Sequence, residues 1–291
     1  MTHSKNPYSH FSFFHGVKPV PGQPLCPKAT HVLFDLDGTI SLMRGGWSEL
    51  MLSIFLSKIP RLPGESESKL SAMLSDDMMR QNGKPTVFQF IRFNERLKER
   101  GGNLIDPESA TEEFVRRLRL VTDRRRDAVL KGERSVESVL VPGTLKILSL
   151  LKARGLNLWL ASGTDEKIVS PEMDELGLRK FFGDKIFSYR PGFSKVQVIQ
   201  KIMGQPGMTA EQLVAFGDGY VEMNETAKIG GFPIAVASDE SWIDVLPYQG
   251  SGRINSFKDS LLVEAGARMV IPDYSEAELL VNLIFGEKSN V

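Results

Sequence analysis

One apolar run that ends in two carboxylates constrains this chain more than any other feature: His31-Val32-Leu33-Phe34-Asp35-Leu36-Asp37-Gly38-Thr39-Ile40. No polar residue interrupts Val32 to Phe34, the pattern of a strand buried on both faces. Asp35 and Asp37 then stand at the carboxyl end of that strand, where open α/β sheets receive their ligands. Successive strand side chains point to opposite faces. Two acids at this spacing can face one ligand only if the chain leaves the strand between them, and Gly38 permits that turn.

All four histidines (His3, His10, His15 and His31) precede the acidic pair. A Ser-His-Asp or Cys-His site, or a histidine-ligated zinc, would have to borrow from the N-terminal arm. Chemistry in the main body must run on carboxylates, hydroxyls, lysine and a hard cation. Cys26 is the sole cysteine, so no intramolecular disulfide can form and a reducing, cytoplasmic setting is expected. The 36 basic and 36 acidic residues balance, which gives no reason to expect nucleic acid or a membrane surface as partner. No window reaches the roughly 18 consecutive apolar residues of a membrane span, and Met1 to His15 lack the apolar run of a signal peptide.

In chain order, residues 1–28 carry Tyr8, Phe11, Phe13 and Phe14 and then four prolines from Pro19 to Pro27, which suits an extended arm. Its default reading is a partly ordered tail. The alternative is an arm seated on the core or on a second subunit, as in a homodimer. Residues 42–138 are helical in period throughout, with segments at Trp47 to Leu56, Ser66 to Met79, Val87 to Leu97 and Pro107 to about Leu130, and no strand pattern between them. From Val139 the texture becomes alternating helix and strand, with strands expected at Leu156–Ala161, near Ile186, at Leu213–Phe216, Phe232–Val236 and Met269–Ile271. The fold class expected is therefore α/β, a Rossmann-like parallel sheet core (29–41 and 139–291) with an inserted all-helical cap (42–138) behind an N-terminal arm (1–28).

Four polar clusters fall at strand ends or helix starts: Asp35/Asp37, Ser162, Lys195, and Asp218 with Glu222. In a parallel sheet the strand tips share one edge, so these clusters can converge. Carboxylate oxygens suit Mg²⁺, which keeps waters and phosphate oxygens in its shell, and a hydroxyl and an ammonium suit the remaining phosphate oxygens. Each cluster alone reads as a turn, a helix cap or a solvated lysine.

Together and in this order, Asp-x-Asp-Gly-Thr, a Ser after a strand, a Lys, and Gly-Asp-Gly-x-x-Glu resemble the haloacid dehalogenase superfamily of phosphohydrolases. Val141-Pro142-Gly143-Thr144 and Ala161-Ser162-Gly163-Thr164 are similar to its phosphoglycolate-phosphatase and β-phosphoglucomutase branch, whose helical cap follows the first motif. The resemblance implies that Asp35 is the nucleophile, becoming an aspartyl phosphate, and that Asp37 protonates the leaving group in a locally favoured neutral form. It implies Mg²⁺ held by Asp35, the backbone carbonyl of Asp37 and Asp218, with Glu222 behind the metal. Ser162, Gly163 and Lys195 would bind phosphate, Lys195 touching Asp35 as well.

The activity implied is a Mg²⁺-dependent phosphatase, a phosphoric monoester hydrolase acting on a small phosphorylated metabolite. A phosphomutase of the β-phosphoglucomutase type would use the same residues and return the phosphoryl group. A catalytically silent binding module is the third reading, and the presence of Asp35, Asp37 and Asp218 counts against it. Dehalogenation needs neither a metal nor Asp37, and phosphonate cleavage needs a cap lysine (Lys58, Lys69, Lys84, Lys98 or Lys131). In the cap, Arg116, Arg117, Arg119, Arg124, Arg125 and Arg126 read as a solvated face from which one or two could turn to the substrate, with Arg92 and Arg96 as equal candidates. Gly45-Gly46 is a candidate hinge, and Trp47 reads as core more than as a substrate platform.

Overall fold

The computed structural model describes residues 8–20, 22–240, 243–244 and 254–286, and most of the polar stretch that the sequence shows from Ser238 to Ser256 lies outside the described residues. Its strands are β1 (Ser12–Phe13), β2 (His31–Phe34), β3 (Asn157–Asp165), β4 (Ile186–Tyr189), β5 (Leu213–Gly217), β6 (Phe232–Val236) and β7 (Met269–Ile271). They form one sheet in the order β1-β7-β6-β5-β2-β3-β4, parallel throughout except for the antiparallel β1. β2 is central, as its unbroken apolar run requires. Val32 and Phe34 face one side, where Phe34 stacks on Phe216 at 4.9 Å between ring centroids. Leu33 faces the other, with Trp159, Val198 and Ala215.

Core helices cover both faces: α5 (Thr144–Ala153), α6 (Glu166–Glu175), α7 (Arg179–Phe182), α8 (Lys195–Met203), α9 (Tyr220–Lys228), α10 (Ser256–Glu264) and α11 (Ala277–Phe285). α8 starts at a capping box in which Ser194 and Gln197 satisfy each other's backbone N–H groups, and this fixes Lys195 at the first helical position.

Between β2 and β3 stand α1 (Trp47–Lys58), α2 (Glu67–Arg80), α3 (Val87–Glu99) and α4 (Pro107–Leu130). Local chemistry sets their starts. Ser66 Oγ accepts from Lys69 N, and Asp106 Oδ2 accepts from Ser109 N, with Pro107 in the first turn of α4. These helices share a core of their own, in which Phe55 stacks on Phe93 at 4.0 Å and meets Phe90 edge-on. This core is separate from the main apolar core under the sheet.

Two features depart from the sequence reading. The described part of residues 8–28 departs from the default tail and follows the alternative, an arm seated on the core: Phe11 is buried in the main core, β1 adds an edge strand to β7, and Leu25 and Cys26 donate backbone hydrogen bonds to Leu283 and Ile284. A strand of two residues offers no period for a sequence pattern to catch. Second, β3 runs on through Ser162-Gly163-Thr164, and the cap of the next helix is Asp165, whose Oδ1 accepts from Lys167 N.

Candidate active site

Sheet register explains why distant clusters meet. Phe34 is level with Leu160 on β3 and with Phe216 on β5, and Asp35 N continues the ladder to Phe216 O at 3.0 Å. Asp35, Ser162 and Asp218 therefore stand on or just after adjacent strands, within one residue of the same height. The chain turns at once after Asp35: Gly38 has φ 73°, a left-handed conformation that glycine adopts without cost. A Cβ there would lie 2.2 Å from Asp218 Oδ2, so glycine also admits that carboxylate beside the loop.

Asp35 is buried, and its Oδ1 accepts from Leu36 N at 2.7 Å and from Lys195 Nζ at 2.8 Å. Desolvation pushes its carboxyl up to about 7, with the Asp218 and Asp37 charges adding to the rise and Lys195 opposing it. Lys195 is itself buried and pairs with Glu222 on its other side. Asp218 Oδ2 accepts from Lys258 Nζ at 2.9 Å, and Lys258 also holds Glu240 at 2.5 Å. Burial raises the Glu240 carboxyl, Lys258 opposes the rise, and Asp218 adds to it. Ser238 Oγ donates to Gly38 O at 2.8 Å, tying the β6 loop to the acidic turn.

Asp37 accepts two hydrogen bonds, one on each oxygen: from Arg44 Nε on Oδ1, and from Thr164 Oγ1 on Oδ2 at 2.7 Å. Each oxygen of Asp37 therefore faces its own partner, a guanidinium on Oδ1 and a hydroxyl on Oδ2. Arg44 is anchored by Glu172 through a two-pronged pair at 2.7 and 2.9 Å, and Ser41 Oγ donates to the same carboxylate at 2.9 Å.

A cavity of about 800 Å³ opens over these groups, with Asp35, Asp37, Arg44, Gly163, Thr164 and Lys195 on its floor. Ser162, Asp218 and Glu222 lie behind that floor. Ser162 is fully buried, and its Oγ accepts from Thr164 N at 3.0 Å. Asp218 Oδ1 and Glu222 Oε2 are buried without a hydrogen-bond partner. An unpartnered carboxylate oxygen is costly in a protein interior, and a bound cation is the usual remedy. Charge agrees with this. Six acids pair with three cations, two to each: Asp37 and Glu172 with Arg44, Asp35 and Glu222 with Lys195, and Asp218 and Glu240 with Lys258. Among the described residues no group of three or more acidic, histidine or cysteine side chains is arranged to hold a metal. A site here would therefore rest on two carboxylates and a backbone carbonyl, which suits a cation that keeps several waters.

The cap supplies the roof. In the turn between α2 and α3, Asn82 Nδ2 donates to Asp218 O at 3.3 Å, and Gly83 packs so closely on Glu222 that a Cβ would sit 2.7 Å from Oε2. Of the cap cations expected near substrate, Arg92 and Arg96 turn away and share Asp77 inside the cap. Arg119 and Arg126 line the cavity, the latter paired with Glu175. Arg116 and Arg117 pair with Glu113 on the surface. Arg125 is buried and donates to Met43 O and Gly45 O, bracing the strand-to-cap connection that holds Gly45-Gly46. Trp47 lines the cavity and also packs on the cap core. Lys84 is the one of the five named cap lysines on the cavity wall, and none of the five is buried.

The sequence reading missed Arg44, Glu172, Glu240 and Lys258. Arg44 left a faint signal, as the sole charged residue between Asp37 and Glu49. The other three left none.

Comparisons with known proteins bear on the family and the fold. A family model described as haloacid dehalogenase-like hydrolase matches residues 29–224. A phosphoglycolate phosphatase of Salmonella paratyphi A is 27% identical over 212 residues, covering 69% of this chain and 78% of its own. A crystal structure described as a predicted phosphoglycolate phosphatase from Haemophilus somnus superposes with a TM-score of 0.54 at 15% identity, over 87% of this chain and 98% of the other. A candidate β-phosphoglucomutase from Bacteroides vulgatus gives 0.55 at 14%, over 90% and 92%. At these identities the two structures speak for the fold alone. Among the described residues, no helix is long and apolar enough to cross a membrane.

Proposed function

The chain belongs to the haloacid dehalogenase-like hydrolases, and from that premise we propose that it is a phosphatase that hydrolyses a small phosphorylated metabolite through an aspartyl phosphate on Asp35. The observation that carries this reading is the pairing of Asp35, buried at the tip of β2 and held by Lys195, with Asp218 Oδ1, buried and unpartnered at the tip of β5. Asp35 would hold Mg²⁺ together with the carbonyl of Asp37 and Asp218, and the ion would supply the positive charge that lets a carboxylate approach a phosphoryl group.

The chain's own groups account for the rest. A carboxylate oxygen of Asp35 attacks phosphorus and the ester P–O bond breaks, while Asp37 gives a proton to the departing oxygen. Asp37 then takes a proton from the water that hydrolyses the aspartyl phosphate, which releases inorganic phosphate and regenerates Asp35. Lys195 holds Asp35 in line and balances phosphoryl charge. With Gly163 and Thr164 it forms the cavity floor, and Ser162 sets the loop that carries them. The cap limits water at the first step, and the cavity has room for a metabolite-sized leaving group.

The test is phosphate release from a panel of esters that includes phosphoglycolate, sugar phosphates and nucleotides, with Mg²⁺ or with EDTA, beside Asp35→Asn. Turnover that needs both the metal and Asp35 is expected. Equal turnover by wild type and Asp35→Asn overturns the assignment, and activity that appears only with a sugar bisphosphate primer replaces hydrolysis by phosphoryl return.

A further inference from the structure

We propose that Arg44 is a positioning residue that assigns separate tasks to the two oxygens of Asp37: Oδ1 is locked as an acceptor, and Oδ2 carries the proton that goes to the leaving group. The inference deepens the phosphatase reading and rests on it.

Arginine has five N–H donors and accepts nothing, so the oxygen facing Arg44 Nε stays an acceptor in every protonation state of Asp37. Thr164 stands on the other oxygen, and a hydroxyl both donates and accepts. When Asp37 is ionised, Thr164 Oγ1 can donate to Oδ2 across the 2.7 Å that separates them. When Asp37 is protonated, the hydroxyl can turn and accept from Oδ2–H at nearly the same distance. The proton therefore has one low-cost seat, and that seat stands on the cavity floor between Asp37 and Thr164. As the ester P–O bond breaks, Oδ2 gives up its proton to the departing oxygen and Asp37 is left as the carboxylate.

Arg44 can hold this arrangement because it cannot itself swing. It is buried, and Glu172 takes both terminal nitrogens in a forked pair that also balances its charge. Ser41, four residues after Asp37, pins Glu172 from the other side. The clamp thus joins the acidic loop to α6 and leaves Asp37 little rotational freedom.

Leaving-group dependence separates this role from a merely structural one. Nitrophenolate departs without a proton, whereas an alkyl alkoxide needs one. The readout is kcat/KM, which reports the steps up to breakage of the ester bond, for p-nitrophenyl phosphate and for an alkyl phosphate substrate. It is measured on wild type, Arg44→Gln, Arg44→Lys, Thr164→Val and Thr164→Ser, each checked for native circular dichroism. Loss of acid assistance is worth about 10²-fold or more. Arg44→Gln and Thr164→Val are expected to lose about that much more on the alkyl ester than on the nitrophenyl ester, with partial recovery in Arg44→Lys and Thr164→Ser. Equal losses on both esters, or a loss seen only as a raised KM, overturn the proposal. Should Arg44→Gln not fold, Glu172→Gln and Thr164→Val carry the same comparison. Asp35→Asn run in parallel tells the two readings apart: its full activity on either ester defeats the phosphatase assignment itself, whereas an inactive Asp35→Asn with uniform losses elsewhere defeats the oxygen assignment alone.

Discussion

Lys195 Nζ lies 2.8 Å from Asp35 Oδ1, with both side chains almost sealed from solvent. The same ammonium also meets Glu222, so one cation stands between two buried acids. Replacing it by methionine keeps the volume and strands both carboxylates. We expect Lys195→Met to lose about 10²- to 10³-fold in kcat/KM, the scale seen when one preorganised donor is removed from a reacting centre. Parallel losses on good and poor leaving groups would mark it as acting on the phosphoryl group and nucleophile, unlike the Arg44 variants.

Gly38 offers a sharper structural test. Alanine there must adopt φ near 73°, which costs about 1–2 kcal/mol for an L-residue, and its Cβ would overlap Asp218 Oδ2. The carboxylate would have to leave its place beside the loop and its contact with Lys258. Gly38→Ala is expected to keep the far-ultraviolet circular dichroism of the wild type and to bind Mg²⁺ at least tenfold more weakly by titration calorimetry. Unchanged affinity would place the cation away from Asp218.

The elevated carboxyl of Asp35 predicts a proton signature. Burial holds it at about 7, above its ordinary value, so below neutrality the metal-free protein keeps a proton there. A cation needs the carboxylate, so Mg²⁺ binding should release that proton. Apparent affinity should rise from pH 5 to about pH 7 and level off above. Calorimetry in buffers of different ionisation enthalpy should find close to one proton released at pH 6 and close to none at pH 8.5. A pH-independent affinity would show that Asp35 is not a ligand.

Strands β2 to β7, and the placement of Asp35, Asp218 and Lys195 at strand ends or a helix start, were legible because each rests on a local rule, while the two-residue β1 was not. Val32 to Phe34 carry the unbroken apolar run of a strand buried on both faces, and Pro107 suits the first turn of a helix. Lys195 was legible for the same reason, standing first in a helix with apolar spacing. What escaped was pairing at a distance. Nothing in the sequence joins Arg44 to Glu172 or Lys258 to Asp218, since a lone cation does not name its partner. Arg92 and Arg96 show the converse limit. Their spacing placed them on one helical face, but only the fold reveals that this face turns onto Asp77.

Arg125 couples the cap to the core, and its loss should be felt in stability first. Its side chain is 4% exposed, and its guanidinium donates to Met43 O and Gly45 O at 2.9 and 2.7 Å, with Asp244 on its other edge. Alanine would leave two carbonyls without a donor in the segment that joins the acidic loop to α1. An unmet buried acceptor costs about 1–3 kcal/mol, so Arg125→Ala should lower Tm by several degrees or more. Asp244 is far more exposed, and Asp244→Ala should cost less because the two carbonyl bonds persist. Limited proteolysis then locates the change. If Arg125 is the brace of the cap connection, Arg125→Ala should be cut faster near Gly45-Gly46 at temperatures well below its Tm, with Asp244→Ala close to wild type. Equal protection in both variants would leave the connection held by the cap's apolar contacts alone.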